Sequence, residues 1–424
     1  MFPSVSTSAS RVVADDARPP LVLVAVDMAR HGGTEPGKSW AWACALARRY
    51  RLHVVTAPAV AERCRNEPPA AEWSWHVTRV AQPGSMGLRY YRDYARWCRE
   101  ATEVIRELVP RVKPVGLHHI TLGSFRVLPR YDRCGVPYTI GPVGGGEATP
   151  RELLGTARLP WGPWLSELAR PWLSNASAAV PGLRAVLRGS RLALGTSVET
   201  ERILQRMGAR RTGVDFPDCL PADVDPSRAQ PAAVRAAELT RVRLIWSGRA
   251  VWWKAGQIAV EFLRRLRGAG VDAELEVFSY GHALDAWRRQ MVAAGVEDRV
   301  RVSGFLPRAE LLARFGRAHV FVYPTFHDSA ATALLEAYAM GLPSLTVGLG
   351  GPAVVATGAT GYNMRPTNLN TWIEGAVACV RGWQRAPATW VAASEAARVR
   401  AQEFGENHMN AMVDRWLPPE VFAR

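Results

Sequence analysis

Lysine is almost missing from this chain of 424 residues: Lys38, Lys113 and Lys254 stand against fifty arginines. A bias of that size is compositional, so a lysine that survives it merits inspection. Cysteine is scarce as well. The six, Cys44, Cys64, Cys98, Cys134, Cys219 and Cys379, lie at least 20 residues apart. This excludes the paired spacing of a zinc site and the crowded framework of a small disulfide protein, and leaves reduced thiols as the expectation. Long hydrophobic runs are also lacking. The strongest, Leu21 to Val26, falls far short of the ~20 residues that cross a bilayer, and the opening "MFPSVSTSASRVVADDARPP" contains no secretory core. A cytoplasmic protein with a disordered tail over 1–20 is expected. Clustered charge is missing too, although the formal net charge is +15. Arginines come as pairs on periodic helices ("LARRYR", "FLRRLRG", "DAWRRQ"), the pattern of solvated faces, which argues against a nucleic-acid partner. An acidic small substrate or an anionic membrane surface accounts for the balance equally well.

What is present is the patterning of a globular α/β chain, 48% hydrophobic and 9% aromatic, long enough for two domains. Short β-branched runs ("LVLVAV", "LHVVTAP", "VPYTIGPV", "RVRLIWSG", "AELEVFSYG", "HVFVYP", "PSLTVG") alternate with amphipathic helical stretches. Helices between such strands cover both faces of a parallel sheet. The alternation breaks once, in the Pro-, Asp- and Ala-rich stretch from Val214 to Thr240. The fold class is therefore α/β, with two Rossmann-like doubly wound parallel-sheet domains facing a central cleft. The expected boundaries are a first domain over 21–215, a linker over 216–240, a second domain over 241–390, and a helical segment over 391–424 that crosses back to the first domain. Ligands of such sheets bind at the carboxyl ends of strands, so motifs belong just after them.

Five motifs sit there. "HGGTEPGKSW" satisfies the phosphate-loop pattern from Gly32 through Lys38 and Ser39, but Trp40 follows, five residues separate the strand from Gly32, and no later strand ends in a magnesium-holding Asp. A glycine turn that admits a ligand at a helix start, or a plain structural turn, are the alternatives. "GLHHITLG" places His118 and His119 after an extended stretch, as sugar contacts or as structural histidines. Close by, "GPVGGGE" puts Gly145 and Gly146 beside Glu147, either as a loop or as room for an acceptor. In "LIWSGRAVWWKAG", Gly248 and Arg249 follow a strand and Lys254 comes five residues later; a planar fork and a point charge can share one diphosphate, or be two surface cations. Finally, "TFHDSAATALLEAYAMGLPSLTVGLGG" carries Asp328 and Glu336 around an alanine-rich helix. Ser329 or Asp328 would cap that helix, whose free N–H groups favour a phosphate. Glu336, on an apolar helix, sits where water is scarce and needs a partner. The "DVD" at Asp223 to Asp225 mimics a metal-binding acidic triplet, but it falls in the linker and is not expected to act.

Taken together, these residues resemble the retaining glycosyltransferases of family 4, which have the GT-B fold, from about Leu21 to about Thr367. Subgroups carrying "GxEPG", "HHxT" and "GPVGGGE" look most alike. The resemblance implies a nucleotide-diphosphate-sugar donor, no metal or other cofactor, and a hydroxyl-bearing acceptor. It implies that Arg249 and Lys254 bind the diphosphate, that Asp328 holds donor-sugar hydroxyls and Glu336 the ribose, and that His119, or else His118, faces the sugar. Gly32, Gly33, Gly248, Ser329, Gly350 and Gly351 would complete the donor site, and Gly145, Gly146 and Glu147 would lie on the acceptor side. Two departures stand out: the first acid is Asp where the family has Glu, and "SAAT" replaces the Phe-Gly that follows it. The stretch "WGPWLSELARPWLSNASAAVPGLRAVLRGSRLALG", with Trp161, Trp164, Trp172, Arg184, Arg188 and Arg191, has a composition that could rest on anionic lipid, the alternative being helices packed on the first domain or forming an acceptor wall. The rival readings are a phosphate-loop NTPase or kinase using Gly32 to Ser39, and a catalytically weak sugar-nucleotide binder.

Overall fold

A computed structural model describes residues 17–84 and 88–423. Most of the expected tail, residues 1–16, lies outside the described residues. Seven parallel strands form the first sheet: β1 (Pro20–Ala25), β2 (Arg51–Thr56), β3 (Ser74–Val77), β4 (Gly116–Thr121), β5 (Tyr138–Val143), β6 (Leu192–Gly195) and β7 (Thr212–Val214). Six form the second: β8 (Arg241–Ser247), β9 (Asp272–Phe278), β10 (Val300–Val302), β11 (Val320–Tyr323), β12 (Ser344–Val347) and β13 (Gly361–Met364). Central strands such as β1 and β4 are buried along almost their whole length, as strands covered on both faces must be.

The sheet orders are β3-β2-β1-β4-β5-β6-β7 and β10-β9-β8-β11-β12-β13. In each, the winding reverses beside the first strand, between β1 and β4 and between β8 and β11. These are the switch points where a doubly wound sheet opens a crevice at its carboxyl edge, and the Gly32 turn, Arg249 and the acid loop follow β1, β8 and β11 there. The two Rossmann-like domains are those of the GT-B fold.

Three boundaries differ from the expected ones. The segment after β5 leaves the first domain: Leu153 and Ala157 are buried in the second domain's core, Ala157 O accepts from Gln257 Nε2 at 3.1 Å, and Thr156 Oγ1 accepts from Leu369 N at 3.1 Å. The end of the linker is already second domain, because the fully buried Arg235 donates to Ala318 O, Met340 O and Gly341 O. Helix Pro387–Gln402 stays on the second domain, and only helix Glu406–Trp416 and the tail after it join the first core. The tail is anchored by Tyr50 Oη, which donates to Leu417 O at 2.7 Å, and by Phe422, whose ring lies where a Cβ on Gly116 would need to be, 2.1 Å away.

Among the described residues no helix is long and apolar enough to cross a membrane. Helix Trp161–Ala176 turns Glu167 and Ser174 inward and leaves Trp161, Trp172 and Leu173 uncovered, at 76%, 70% and 64% exposure.

Phe422 is the last large side chain of the first core and has no room to be replaced by a neighbour. Phe422→Ala is expected to lower unfolding stability by about 3–5 kcal/mol, read as a fall in the denaturant midpoint, while substitution of the exposed Val399 leaves it within about 0.5 kcal/mol.

Candidate functional site

The loop after β11 and the helix that follows it, Thr332–Ala339, form the floor of the site. Trp253 O stitches this loop to the one after β8, accepting from Phe326 N at 2.9 Å and Thr325 Oγ1 at 3.1 Å. Lys254 is thereby brought onto Asp328, with which it is ion-paired, and its Nζ also donates to Tyr323 Oη at 3.1 Å. Tyr323 Oη in turn donates to Asp328. Burial pushes the Tyr323 hydroxyl well up, and the carboxylates of Asp328, Asp218 and Glu336 add to it. Gly350 has φ +56°, and a Cβ there would stand 2.2 Å from Asp328 O; Gly351 N donates to the same oxygen at 2.7 Å. The glycine pair thus lets one loop lie flat against the backbone of the acid loop.

Glu336 is 7% exposed and does have a partner: Arg308 Nε donates to its Oε1 at 2.8 Å. Burial raises the Glu336 carboxyl above its ordinary range against the pull of Arg308. The same guanidinium is paired with Asp223, and Asp223 Oδ2 lies 3.1 Å from His31 Nδ1. A chain of charges therefore runs from the loop after β1, through the linker, to the acid helix. The acidic triplet of the linker, not expected to act, contributes its first member here as an ion bridge; Asp225 instead caps a turn through Ser227 N at 3.0 Å. Among the described residues no three His, Cys, Asp or Glu side chains are grouped to hold a metal ion.

The cap of the acid helix is neither Ser329 nor Asp328. Asp218, from the linker, accepts from Ala331 N at 3.1 Å and from Thr332 Oγ1 at 2.6 Å. Ser329 instead meets the first domain, since a Cβ on Gly144 would come within 3.0 Å of its Oγ. Next to it, His327 Nε2 lies 2.9 Å from Glu167 Oε2, both side chains buried, and the His327 ring stacks on Trp253 at 5.5 Å. Glu167 also accepts from Thr149 Oγ1 at 2.7 Å. These contacts join the two domains immediately before Asp328.

Arg249 differs from all of these. It follows Gly248, whose φ is +151°, and no described residue makes an ion pair or hydrogen bond with its guanidinium; its Nε is buried and unpartnered. In the first domain, burial and then Glu35 raise the Tyr90 hydroxyl while the Arg249 charge acts against them.

Several expected residues are not available to a ligand. His119 is fully buried, its Nδ1 2.7 Å from Tyr131 Oη and its Nε2 3.0 Å from Leu122 O, and burial lowers its pKa to about 4. His118, on the other face of β4, stacks on Trp42 and pairs with Thr139 Oγ1 at 2.8 Å. Both are core histidines. Glu147 is also structural: its two oxygens accept from Gly145 N, Thr196 Oγ1, Ser197 Oγ and Thr200 Oγ1. Gly146 is packed on the backbone of Thr200, 2.6 Å from where its Cβ would be. The phosphate-loop match fails as a site because its residues are helical. Helix Thr34–Ala47 has already begun, Gly37 N donates to Gly33 O at 2.8 Å, and the buried Lys38 is held by Glu35 at 3.0 Å. Gly32 makes the tight turn, where a Cβ would stand 2.6 Å from Pro36 Cβ, and Gly33 faces open space. A cavity of about 590 Å³ lies elsewhere, on the sheet face formed by Arg243, Glu274, Glu276 and Arg301, where Glu274 pairs with Arg241 of the neighbouring strand and Glu276 with Arg314 of a helix, as on a solvated surface.

Asp218 sets a pH dependence. Burial raises its pKa to about 6 from 3.8. The folded state therefore holds this proton more tightly than the unfolded chain, and the stability so gained is complete below about pH 4 and lost as pH rises to about 6. Asp218→Asn keeps the acceptor and removes the titration. Relative to wild type, the variant should gain about 3 kcal/mol between pH 4 and 7, at 1.36 kcal/mol per unit, measured by urea unfolding at both pH values; parallel pH profiles would refute it.

Residues 241–381 match the family model described as "Glycosyl transferases group 1". The chain is 28% identical to a 2-deoxystreptamine glucosyltransferase of Streptomyces kanamyceticus over 177 residues, which are 38% of this chain and 44% of that one. It spans less than half the length of the first curated relatives it matches. Sucrose-phosphate synthase from Thermosynechococcus elongatus superposes with a TM-score of 0.62 at 15% identity, covering 94% of this chain and 98% of that one. The Anabaena protein HepE, solved with UDP and glucose, superposes with a TM-score of 0.59 at 12% identity, covering 94% and 99%. The whole chain thus has the GT-B fold, and its second domain carries the group 1 glycosyltransferase sequence pattern.

Proposed function

We propose that this chain is a retaining glycosyltransferase of the family 4 type that moves a sugar from a nucleotide-diphosphate donor to an acceptor hydroxyl. The observation that carries the reading is Arg249: a cation with no ion-pair partner among the described residues, at the carboxyl end of β8, on the same loop that brings Lys254 onto Asp328. A diphosphate is the ligand that such a fork and point charge fit together. The family match over the second domain and the UDP complex of a protein with the same fold support it.

Arg249 can receive the diphosphate without breaking any contact. Lys254 cannot, because Asp328 holds it; as the phosphate takes up Lys254, Asp328 is released toward the donor-sugar hydroxyls. Glu336 offers its second oxygen to the ribose, its first being committed to Arg308. Charge develops on the departing diphosphate, and these cations stand where it develops, so no metal or other cofactor is required. The leaving phosphate can take the acceptor proton on the same face, which retains configuration without a protein nucleophile. A cytoplasmic location belongs to the reading, and the uncovered Trp161 and Trp172 suit peripheral contact with a membrane.

Two measurements test it. One nucleoside diphosphate among UDP, GDP and dTDP should raise the melting temperature, since a ligand that binds only the folded state stabilises it by mass action. Arg249→Ala and Lys254→Ala should each lower kcat/KM for transfer by about a hundredfold or more, the ~3 kcal/mol typical of losing one transition-state donor. Full turnover in Lys254→Ala would overturn the assignment, and a nucleotide shift without turnover on any acceptor would identify a binder.

A further inference from the structure

The first-domain wall of the cleft holds two arginines that make no direct ion pair with any described residue. β4 and β5 run on side by side to Ser124 and Gly144, which form a parallel bridge, and the loops beyond them carry Arg126 and Gly145. Arg126 Nη2 donates to Gly145 O at 2.6 Å and to Ser174 Oγ at 2.7 Å. Arg170, on helix Trp161–Ala176, donates from Nε to Glu147 O at 2.8 Å. Both guanidiniums are thus anchored by neutral acceptors within two residues of one another. Neither forms an ion pair with a described residue, and their remaining nitrogens are not sealed from solvent. The carboxylates close enough to answer them are turned away: Glu147 to Gly145 N, Ser197 and Thr200, and Glu167 to Thr149 and His327. Gly145 has φ +116°, and a Cβ there would meet Arg126 Nη1 at 2.5 Å, so the glycine is what allows the guanidinium to lie on the loop. Burial, and then the like charge of Arg170, pull the Arg126 pKa down, against the smaller opposing pull of Tyr91 and Glu147.

Two like charges held together in a half-buried wall repel unless an anion comes between them, and the free edges of two arginines fit the oxygens of a phosphate or carboxylate. Gly144, one residue before this loop, abuts Ser329 of the acid loop, so an anion here lies next to the donor site and not in it. We propose that Arg126 and Arg170 form an oxyanion subsite for the acceptor, which therefore carries a phosphate or carboxylate group beside the hydroxyl that is glycosylated. This rests on the transferase reading for the word acceptor, and on the arginine pair alone for the anion.

The test is calorimetric titration of the full chain, saturated with the nucleoside diphosphate that stabilises it most. The probes are inositol 1-phosphate against inositol and glucuronate against glucose. At least one anion should bind at least tenfold more tightly than its neutral counterpart, and which one does assigns phosphate or carboxylate. Arg126→Gln and Arg170→Gln should each weaken that binding at least tenfold while the nucleotide-induced melting shift persists, which also certifies that the variants fold. Equal binding of charged and neutral probes, or unchanged anion binding in both variants, would overturn the proposal. If no nucleotide stabilises the chain, the transferase reading fails, and the same titrations without nucleotide still decide whether the arginine pair binds anions.

Discussion

A carboxylate removed from water must be answered by a cation or by several hydrogen bonds, since the penalty otherwise amounts to several kcal/mol. That constraint organises the junction of the two domains. Between Phe326 and Ala339 the second domain presents two acids, Asp328 and Glu336, and a helix end. Each is answered from a different part of the chain: Lys254 from the loop after β8, Arg308 from beyond β10, and Asp218 from the linker. Glu167 reaches His327 from the first domain, and His31 reaches Arg308 through Asp223. The cleft is therefore tied at its hinge and along its rim by the groups that make it polar.

The strand pattern made the fold legible, because parallel strands buried on both faces must read as short apolar runs, and the doubly wound topology puts motifs at their carboxyl ends. Arg249, Lys254, Asp328 and Glu336 stand out that way as candidates, and of these the structure pairs Lys254 with Asp328. The other partners do not stand out. Arg308 and Glu336 are 28 residues apart, Asp218 and Thr332 are 114 apart, and Glu167 lies in the other domain from His327. Nothing local distinguishes such an Asp in a Pro-rich linker, or such an Arg at a helix start, from the many solvated ones. The histidines misled for a related reason. Side chains on adjacent strand positions point to opposite faces, and in a sheet covered on both sides both faces are core, so His118 and His119 are buried in different packing layers.

Glycine signals divided along a similar line. Gly350 and Gly145 occupy positive-φ positions where another chain segment lies in contact. By contrast, the glycine, lysine and serine of the phosphate-loop match are spaced correctly but lie inside a helix, whose backbone N–H groups are already spent on intrahelical bonds. A pattern of residue types specifies a phosphate cradle only when the backbone leaves those groups free, and here the helix begins at Thr34, ahead of the Ser39 start that the sequence suggests.

The cations around the cleft are of two kinds, and the difference orders events at the site. Lys254 and Arg308 are neutralised by acids of the same wall, so a ligand that recruits either must break a pair and frees the acid it leaves. Arg249, Arg126 and Arg170 are held by packing or by neutral carbonyls and break nothing when an anion arrives. Free cations on both walls would draw in anionic ligands first, and the paired ones would respond second. An enzyme that binds its donor through Arg249 thereby gains Asp328 as a hydroxyl acceptor only once the diphosphate has displaced it from Lys254. On the proposed reading sugar recognition is then contingent on diphosphate recognition, because the resting Asp328 carboxylate sits on Lys254 and Tyr323 together.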